Sequence, residues 1–491
     1  MNATIAPEKE LAAPCLRSWD LVRDIVMMGG GTALAALFNA VLIFFIPRIL
    51  SVQDFGYWRL FLLYGGYVGF LHFGFADGAL LRWVGRPLDD FSYEFRPAVK
   101  YLLWQHLAIF ALVCGIVLVL PAPLRFVAIA VAIFAPVFNI TATLQFGLQG
   151  ARKFRPVAIS AAASPALFLI ATLLFESVHR LDFHNLTLLY LLAWCAPLVF
   201  LLLVTKTLSA EQGAVPGDMA KGCLLAGWPI TIANTGVNLI QSADRLALSW
   251  STTIENFAIY SLAASLMALP MLVVQVCSKV FFTHLAGVTP EKREQLYSAS
   301  EFTFVIVWAL LLPFYFALQI FLEHFLPRYI PALLYARILL LGVPFVATVQ
   351  ILQASLAFLN GMQKKFLLST IIVLAASVGI MSAVAFRHES LRGIAWIQVL
   401  IVGAWWLFNE WFLQSITAQQ GRDWVKFLVL YVVIAVSYWF TTSPRVNIAG
   451  SIILYYLGLS LVLTLGFKSQ LRSWFVRLHT LKTGHASRVA G

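Results

Sequence analysis

"ATLQFGLQGARKFRPVAISAAAS", residues 142–164, and "ASLAFLNGMQKKFLLSTIIVLAAS", residues 354–377, follow one plan. In each, an apolar run closes on a glycine (Gly150, Gly361) and a basic pair follows (Arg152 and Lys153; Lys364 and Lys365). A phenylalanine comes next (Phe154, Phe366), then a second apolar run that closes in Ala-Ala-Ser. Two membrane-length helices joined by a short basic turn account for both stretches. The two copies lie about 211 residues apart, and a second echo, "PRILSVQDFGYW" from Pro47 against "DRLALSWSTTIENFAIY" from Asp244, lies about 200 apart. Spans one to six and seven to twelve therefore read as two copies of a six-helix unit. Because six is even, the copies share an orientation, as in transporters built from parallel repeats.

Composition fixes the surroundings of these helices. A chain of 491 residues with 61% hydrophobic and 11% charged residues and a mean hydropathy of +0.85 is an integral membrane protein. Apolar runs of bilayer length give about fourteen spans, among them 24–46, 57–80, 98–120, 124–147, 222–248, 257–282, 333–359, 425–442 and 447–467. The runs are too long and lack the period-two alternation of barrel strands, so the expected class is an all-α bundle. The expected organisation is a cytoplasmic segment over 1–22, an N-terminal lobe over 23–206, a C-terminal lobe over 221–414, two extra spans over 424–467 and a basic cytoplasmic tail over 468–491.

The first 22 residues carry Glu8, Lys9, Glu10, Arg17 and Asp20 without the apolar core of a signal peptide, so span one is expected to be an uncleaved anchor. With both termini on one side, that side gathers about 24 of the 34 Lys and Arg, which places both termini in the cytoplasm. The net charge of +12 is then a topology signal, with attraction to anionic membrane lipids as its second consequence, and nucleic acid is not implied. The five cysteines, Cys15, Cys114, Cys195, Cys223 and Cys277, have no paired spacing and suggest neither disulfides nor a metal site.

No loop exceeds about 25 residues, which leaves no room for a soluble catalytic domain. Nucleotide-binding glycine motifs and His-Glu-x-x-His are missing, and so is the large extracytoplasmic loop of a lipid-linked sugar transferase or ligase. A transporter is expected, with no cofactor beyond a coupling H+ or Na+.

Span seven, "GWPITIANTGVNLIQSADRLALSW" at 227–250, carries the sharpest local signal. At 100° per residue, Thr231, Asn234, Asn238, Gln241 and Arg245 fall within an arc of about 80°. Hydrocarbon leaves such a face unsatisfied, so it is expected to line a lumen rather than only glue helices together. Arg48, Arg59 and Arg337 sit at a similar depth in spans one, two and ten and, with Arg245, favour an anionic ligand. Snorkelling is the competing reading for Arg48 and Arg59.

Asp77, among Gly65, Gly69, Gly74 and Gly78 in span two, could carry a coupling proton or pair structurally with Arg82, and Asp244 is a second ion-coupling candidate. The glycine spacing permits close helix contact. Gln105 and His106 are expected to be satisfied packing groups, Asn139 and Thr143 to line a cavity or bond across helices, and Trp58, Trp424 and Tyr438 to belong to the interfacial belt.

Through "IPRILSVQDFGYW", "FGFADGALLRWVG" and the basic turn at 150–154, the chain resembles the polysaccharide flippases of the MOP superfamily, the Wzx-type proteins. The resemblance covers the whole length in span count, short loops and two-lobed repeat. It implies movement of an undecaprenyl-diphosphate-linked oligosaccharide across a bacterial cytoplasmic membrane, with polysaccharide polymerase and assembly proteins as partners. It further implies that spans one, two, seven and eight line a cationic cleft between the lobes, and that spans thirteen and fourteen guide the lipid tail. A multidrug or metabolite cation antiporter of the same superfamily is the rival; its lumen carries acidic residues where this one is basic.

Overall fold

The computed structural model describes residues 18–178, 181–208, 218–267, 269–271, 290–387, 390–414, 424–442 and 447–466. Among them every regular element is helical. Eleven helices are long and apolar enough to cross a membrane, and Val425–Thr441 and Ile448–Thr464 are shorter apolar helices. The remaining span is in pieces: span two, expected as one helix over 57–80, runs as Val52–Gly65, a 3-10 turn Val68–His72 and Phe75–Trp83. The fold is thus the all-α membrane bundle that the apolar runs require. Cys15 and Cys277, most of the expected N-terminal segment, the second half of span eight and the basic tail lie outside the described residues.

By packing, the chain forms two compact units, Met1–Leu42 with Tyr64–Ile232, and Ile43–Leu63 with Ala233–Gly491. The division falls inside helix Met219–Ser251 rather than in the connection 206–221. Ile43–Leu63 belongs to the second unit because Gly56 lies so close to span eight that a Cβ there would meet the Ile254 carbonyl oxygen at 2.6 Å. Phe55 against Tyr329 at 5.4 Å and Phe44 against Phe321 at 4.6 Å complete that packing.

The core of the first unit gathers Phe75, Ala79, Trp83, Phe91, Phe95 and Leu102 with Ile140, Leu144 and Leu148 of span four. Trp83 stacks on Phe91 at 5.6 Å and meets Phe95 edge-on, a geometry favoured by the ring quadrupoles. At its edge, Glu94 is fully buried and accepts from Arg82 Nε at 2.9 Å, Arg82 Nη2 at 2.9 Å and Trp83 Nε1 at 2.6 Å. A buried carboxylate persists only when so paired. The expected Asp77–Arg82 pair does not form, because Glu94 takes both of the Arg82 donors used.

In the second unit, span ten is the central helix, and it is not uniform. A 3-10 turn at Leu340–Gly342 precedes Pro344, and Thr348–Gln353 is a π-helix, which changes the register between Arg337 and Ser355.

The two basic turns are built alike. Lys153 N–H donates to Leu148 O and Met362 N–H to Ala357 O, both at 2.8 Å, the long bond of a helix C-terminal cap. The left-handed residue before each donor is Arg152 (φ 57) in the first copy and Gly361 (φ 70) in the second. Gly150 is therefore not the partner of Gly361: it remains helical, and a Cβ there would sit 3.3 Å from the Trp83 backbone. Trp58 and Tyr438, expected at the interface, are instead 2% and 1% exposed and belong to the core.

Candidate functional site

Two arginines of the second unit come together. The like charge of Arg245 acts on the Arg59 guanidinium, and the Nε of each is buried without a hydrogen-bond partner. Arg59 has no carboxylate beside it among the described residues, whereas Arg245 Nε stands 3.9 Å from Asp244 Oδ1. Asp244 is 2% exposed and already engaged: Oδ1 accepts the Arg245 backbone N–H at 2.7 Å and Oδ2 accepts from Tyr260 Oη at 2.6 Å. The desolvated Arg59 guanidinium and the partly exposed Arg245, with one carboxylate between them, leave an excess of positive charge, which burial makes costly unless an anion answers it.

Beside Arg245, a cavity of about 90 Å³ is lined by Gln241, Asp244, Arg245 and Gln398 among others. Gln398, whose Nε2 donates to Ile240 O at 2.9 Å, leaves its Oε1 buried and unpartnered. The other residues that line it, among them Met267, Val343 and Val402, are apolar. Sequence reading missed Gln398 and Tyr260; an amide in the middle of the apolar span twelve was the available signal for the first.

The remaining arginines are elsewhere. Arg48 is exposed at the end of span one. Arg337 turns to span thirteen: its Nε donates to Thr442 Oγ1 at 2.6 Å, Nη2 donates to Trp439 O, and the guanidinium lies 3.8 Å above the Trp439 ring. Along the stripe, Asn234 and Asn238 are exposed, while Gln241 is half-buried and donates to Val237 O at 3.3 Å.

Thr231 stands apart from that group in the first unit, where its hydroxyl donates to Asp77 Oδ2. His72 Nε2 lies 3.9 Å from the same carboxylate oxygen, so Thr231, Asp77 and His72 form one buried polar cluster. What brings them together is a near-contact of backbones. A Cβ on Gly78 would stand 1.9 Å from Cys223 O, and one on Gly227 would stand 1.9 Å from Gly74 O. Gly74 and Gly78 face Cys223 and Gly227, each pair four residues apart, the small-residue crossing expected from the glycines of span two.

The break in span two frees backbone groups at membrane depth, and side chains from spans three and four answer them. Asn139 Nδ2 donates to Val68 O at 2.8 Å and Gln105 Nε2 to Leu71 O at 2.9 Å. Gly74 N–H donates to His72 Nδ1 at 3.0 Å. His106 is locked as a neutral ring: Nδ1 donates to Leu102 O at 2.8 Å, so Nε2 accepts from Asn139 Nδ2 at 2.8 Å. His106 is the satisfied packing group the sequence suggests, Gln105 is satisfied only at Nε2 and leaves its Oε1 buried without a partner, and Asn139 bonds across helices. Irregular backbone survives within a bilayer only with such partners.

No family model and no curated protein sequence matches the chain. Solved structures do. A structure described as the lipid II flippase MurJ in an inward closed conformation superposes with a TM-score of 0.68 at 12% identity, covering 92% of this chain and all of that one. The chain has the fold of MOP superfamily transporters. Two structures of a multidrug resistance MATE family transporter of that superfamily agree with it. The inward-facing one has a TM-score of 0.55 at 11% identity, covering 81% of this chain and 100% of that one. The outward-facing one has a TM-score of 0.51 at 16% identity, with coverage of 80% and 95%. Within this MOP-type fold, the described residues hold no group of three or more His, Cys, Asp or Glu that could bind a metal, and Cys114, Cys195 and Cys223 are free thiols.

Proposed function

We propose that this multi-span protein is a Wzx-type flippase. It would carry an undecaprenyl-diphosphate-linked oligosaccharide, an O-antigen or exopolysaccharide repeat unit, from the cytoplasmic to the periplasmic leaflet of a bacterial inner membrane, with both chain termini in the cytoplasm. The observation that carries the reading is the Arg59–Arg245 pair, with its two buried, unpartnered Nε–H groups and its surplus positive charge. A diphosphate supplies the missing anion, and guanidinium groups match its oxygens with planar paired donors. The exposed amides of Asn234 and Asn238 suit sugar hydroxyls. Outward movement of an anion is favoured by an inside-negative potential at about 2.3 kcal/mol per charge per 100 mV, so a coupling ion assists rather than drives; Asp77 and Asp244 are its candidate carriers.

A cation antiporter is the weaker reading, because the carboxylate beside the arginines, Asp244, already accepts from Tyr260 and the Arg245 backbone.

The test is liposomes holding the purified protein and a labelled undecaprenyl-diphosphate oligosaccharide, with exposure on the opposite leaflet measured over time. Arg59→Gln and Arg245→Gln should each slow translocation by at least about tenfold, the scale for removing one desolvated charge from a charged contact. Unaltered rates in both variants would sink the arginine site. A folded parent that moves no lipid-linked sugar under an imposed potential would sink the flippase reading.

A further inference from the structure

An apolar groove of about 830 Å³ lies on the second unit between spans ten, twelve and thirteen. Its walls include Phe345, Trp396, Trp406, Tyr431, Trp439 and Phe440, and Arg392 is the one charged residue that lines it. The rim is open: Leu400 is 67% exposed and Phe440 73%.

The charge at one end is unbalanced. Arg392 and Arg337 flank the same ring, with guanidinium carbons 5.9 Å and 3.8 Å from the Trp439 centroid, and each lies within the other's field. Neither has a carboxylate partner among the described residues. Arg337 spends its donors on Thr442 and Trp439, whereas Arg392 is exposed at the mouth.

We propose that this groove binds an anionic phospholipid of the surrounding bilayer, its phosphate on Arg392 beside Trp439 and an acyl chain along the aromatic wall between spans twelve and thirteen. Two neighbouring cations select the headgroup by sign: a zwitterionic lipid would bring a third cation to the place where repulsion already acts, while a phosphate with net negative charge relieves it. The hydrocarbon of the chain suits walls that are almost wholly apolar, with the Tyr431 hydroxyl and the Trp406 indole N–H already engaged by Leu341 O and Glu301. Neither Arg59 nor Arg245 lines the groove, which shares only Val399 with the cavity beside Arg245, so the inference stands whether or not the chain moves sugars.

Native mass spectrometry of the full-length protein in detergent, titrated with phosphatidylglycerol or with phosphatidylcholine, reads the site directly. Phosphatidylglycerol should be retained preferentially. Arg392→Gln should lower its retention about fivefold, the effect of one basic residue near an anionic headgroup. Val436→Trp, placed on the open rim, should lower retention of the chain without burying anything new. Equal retention of the two lipids, or parental binding by both variants, overturns the proposal. Displacement of phosphatidylglycerol by undecaprenyl phosphate, abolished by Val436→Trp, overturns it too and assigns the groove to a polyprenyl chain.

Discussion

Gly78 has no room for a methyl group. Its Cβ would stand 1.9 Å from Cys223 O, so Gly78→Ala must push backbone from backbone, while Gly222, one residue before Cys223, faces open space. Gly78→Ala should therefore destabilise the protein by about 2 kcal/mol, the scale of overpacking, and Gly222→Ala should leave it unchanged or slightly more stable. Thermal unfolding of the two variants in the same detergent separates them, and a Gly78→Ala variant as stable as the parent would refute the close crossing. Glu94 makes a second prediction at this scale. Glu94→Gln strips the charge that Arg82 and Trp83 address, and should cost about 3 kcal/mol, the lower end for a broken buried pair because Arg82 is partly exposed. Chemical denaturation checks it. Such contacts were half legible in the sequence. The glycine spacing of span two announced a close approach, but the identity of its partner, and the capture of Arg82 by Glu94 rather than Asp77, depend on a 3-10 turn at Ser92–Glu94 that no apolar periodicity signals.

Span two carries the lesson for elements. Its apolar run hides a break: residues 66–74 read as part of one span although glycines stand at 66, 69 and 74, and Gly74, in the left-handed region at φ 93, marks where the helix must stop. Phe73 shares that region at φ 49, a strain of roughly 1 kcal/mol for a residue with a Cβ. The amides that satisfy the freed carbonyls come from 71 residues away for Asn139 and 34 for Gln105, beyond the reach of a local reading. Asn139→Leu should leave Val68 O and His106 Nε2 unanswered and cost about 1–3 kcal/mol. Thr143→Val, whose hydroxyl only returns to its own helix at Asn139 O, should cost less than 1 kcal/mol on the scale of a single dispensable bond. Melting temperatures that rank the two variants the other way would contradict the role given to Asn139. Span seven was read more fully: its polar arc is real in sequence, yet Thr231 serves Asp77 in one unit while Gln241 and Arg245 serve the other.

At the scale of the whole molecule, the two-copy plan was visible because membrane helices repeat their turns, and the left-handed caps at Arg152 and Gly361 keep it in three dimensions. A further echo escaped the sequence: Glu94-Phe95 and Glu301-Phe302 each open a span, and each glutamate takes an indole N–H, from Trp83 and from Trp406 at 3.3 Å. The partition into units was not legible, because helix Met219–Ser251 and the first helix, Ser18–Ile49, both run unbroken through the points where it falls. An even number of crossings and the excess of Lys and Arg on one side predict that both termini face the cytoplasm. Reporter fusions that fold only in one compartment, placed at each end, should give the same answer twice; opposite answers would contradict both the span count and the charge argument.

The break in span two also constrains the order of events during synthesis. Residues 66–74 leave the ribosome ahead of Gln105 and Asn139, so when this segment first meets lipid its Val68 and Leu71 carbonyls lack the partners they have in the fold. The segment must either wait at the translocon or enter as a regular helix and unwind once spans three and four arrive. Either way, the break that Gly74 permits is completed only when later chain supplies the partners of Val68 and Leu71.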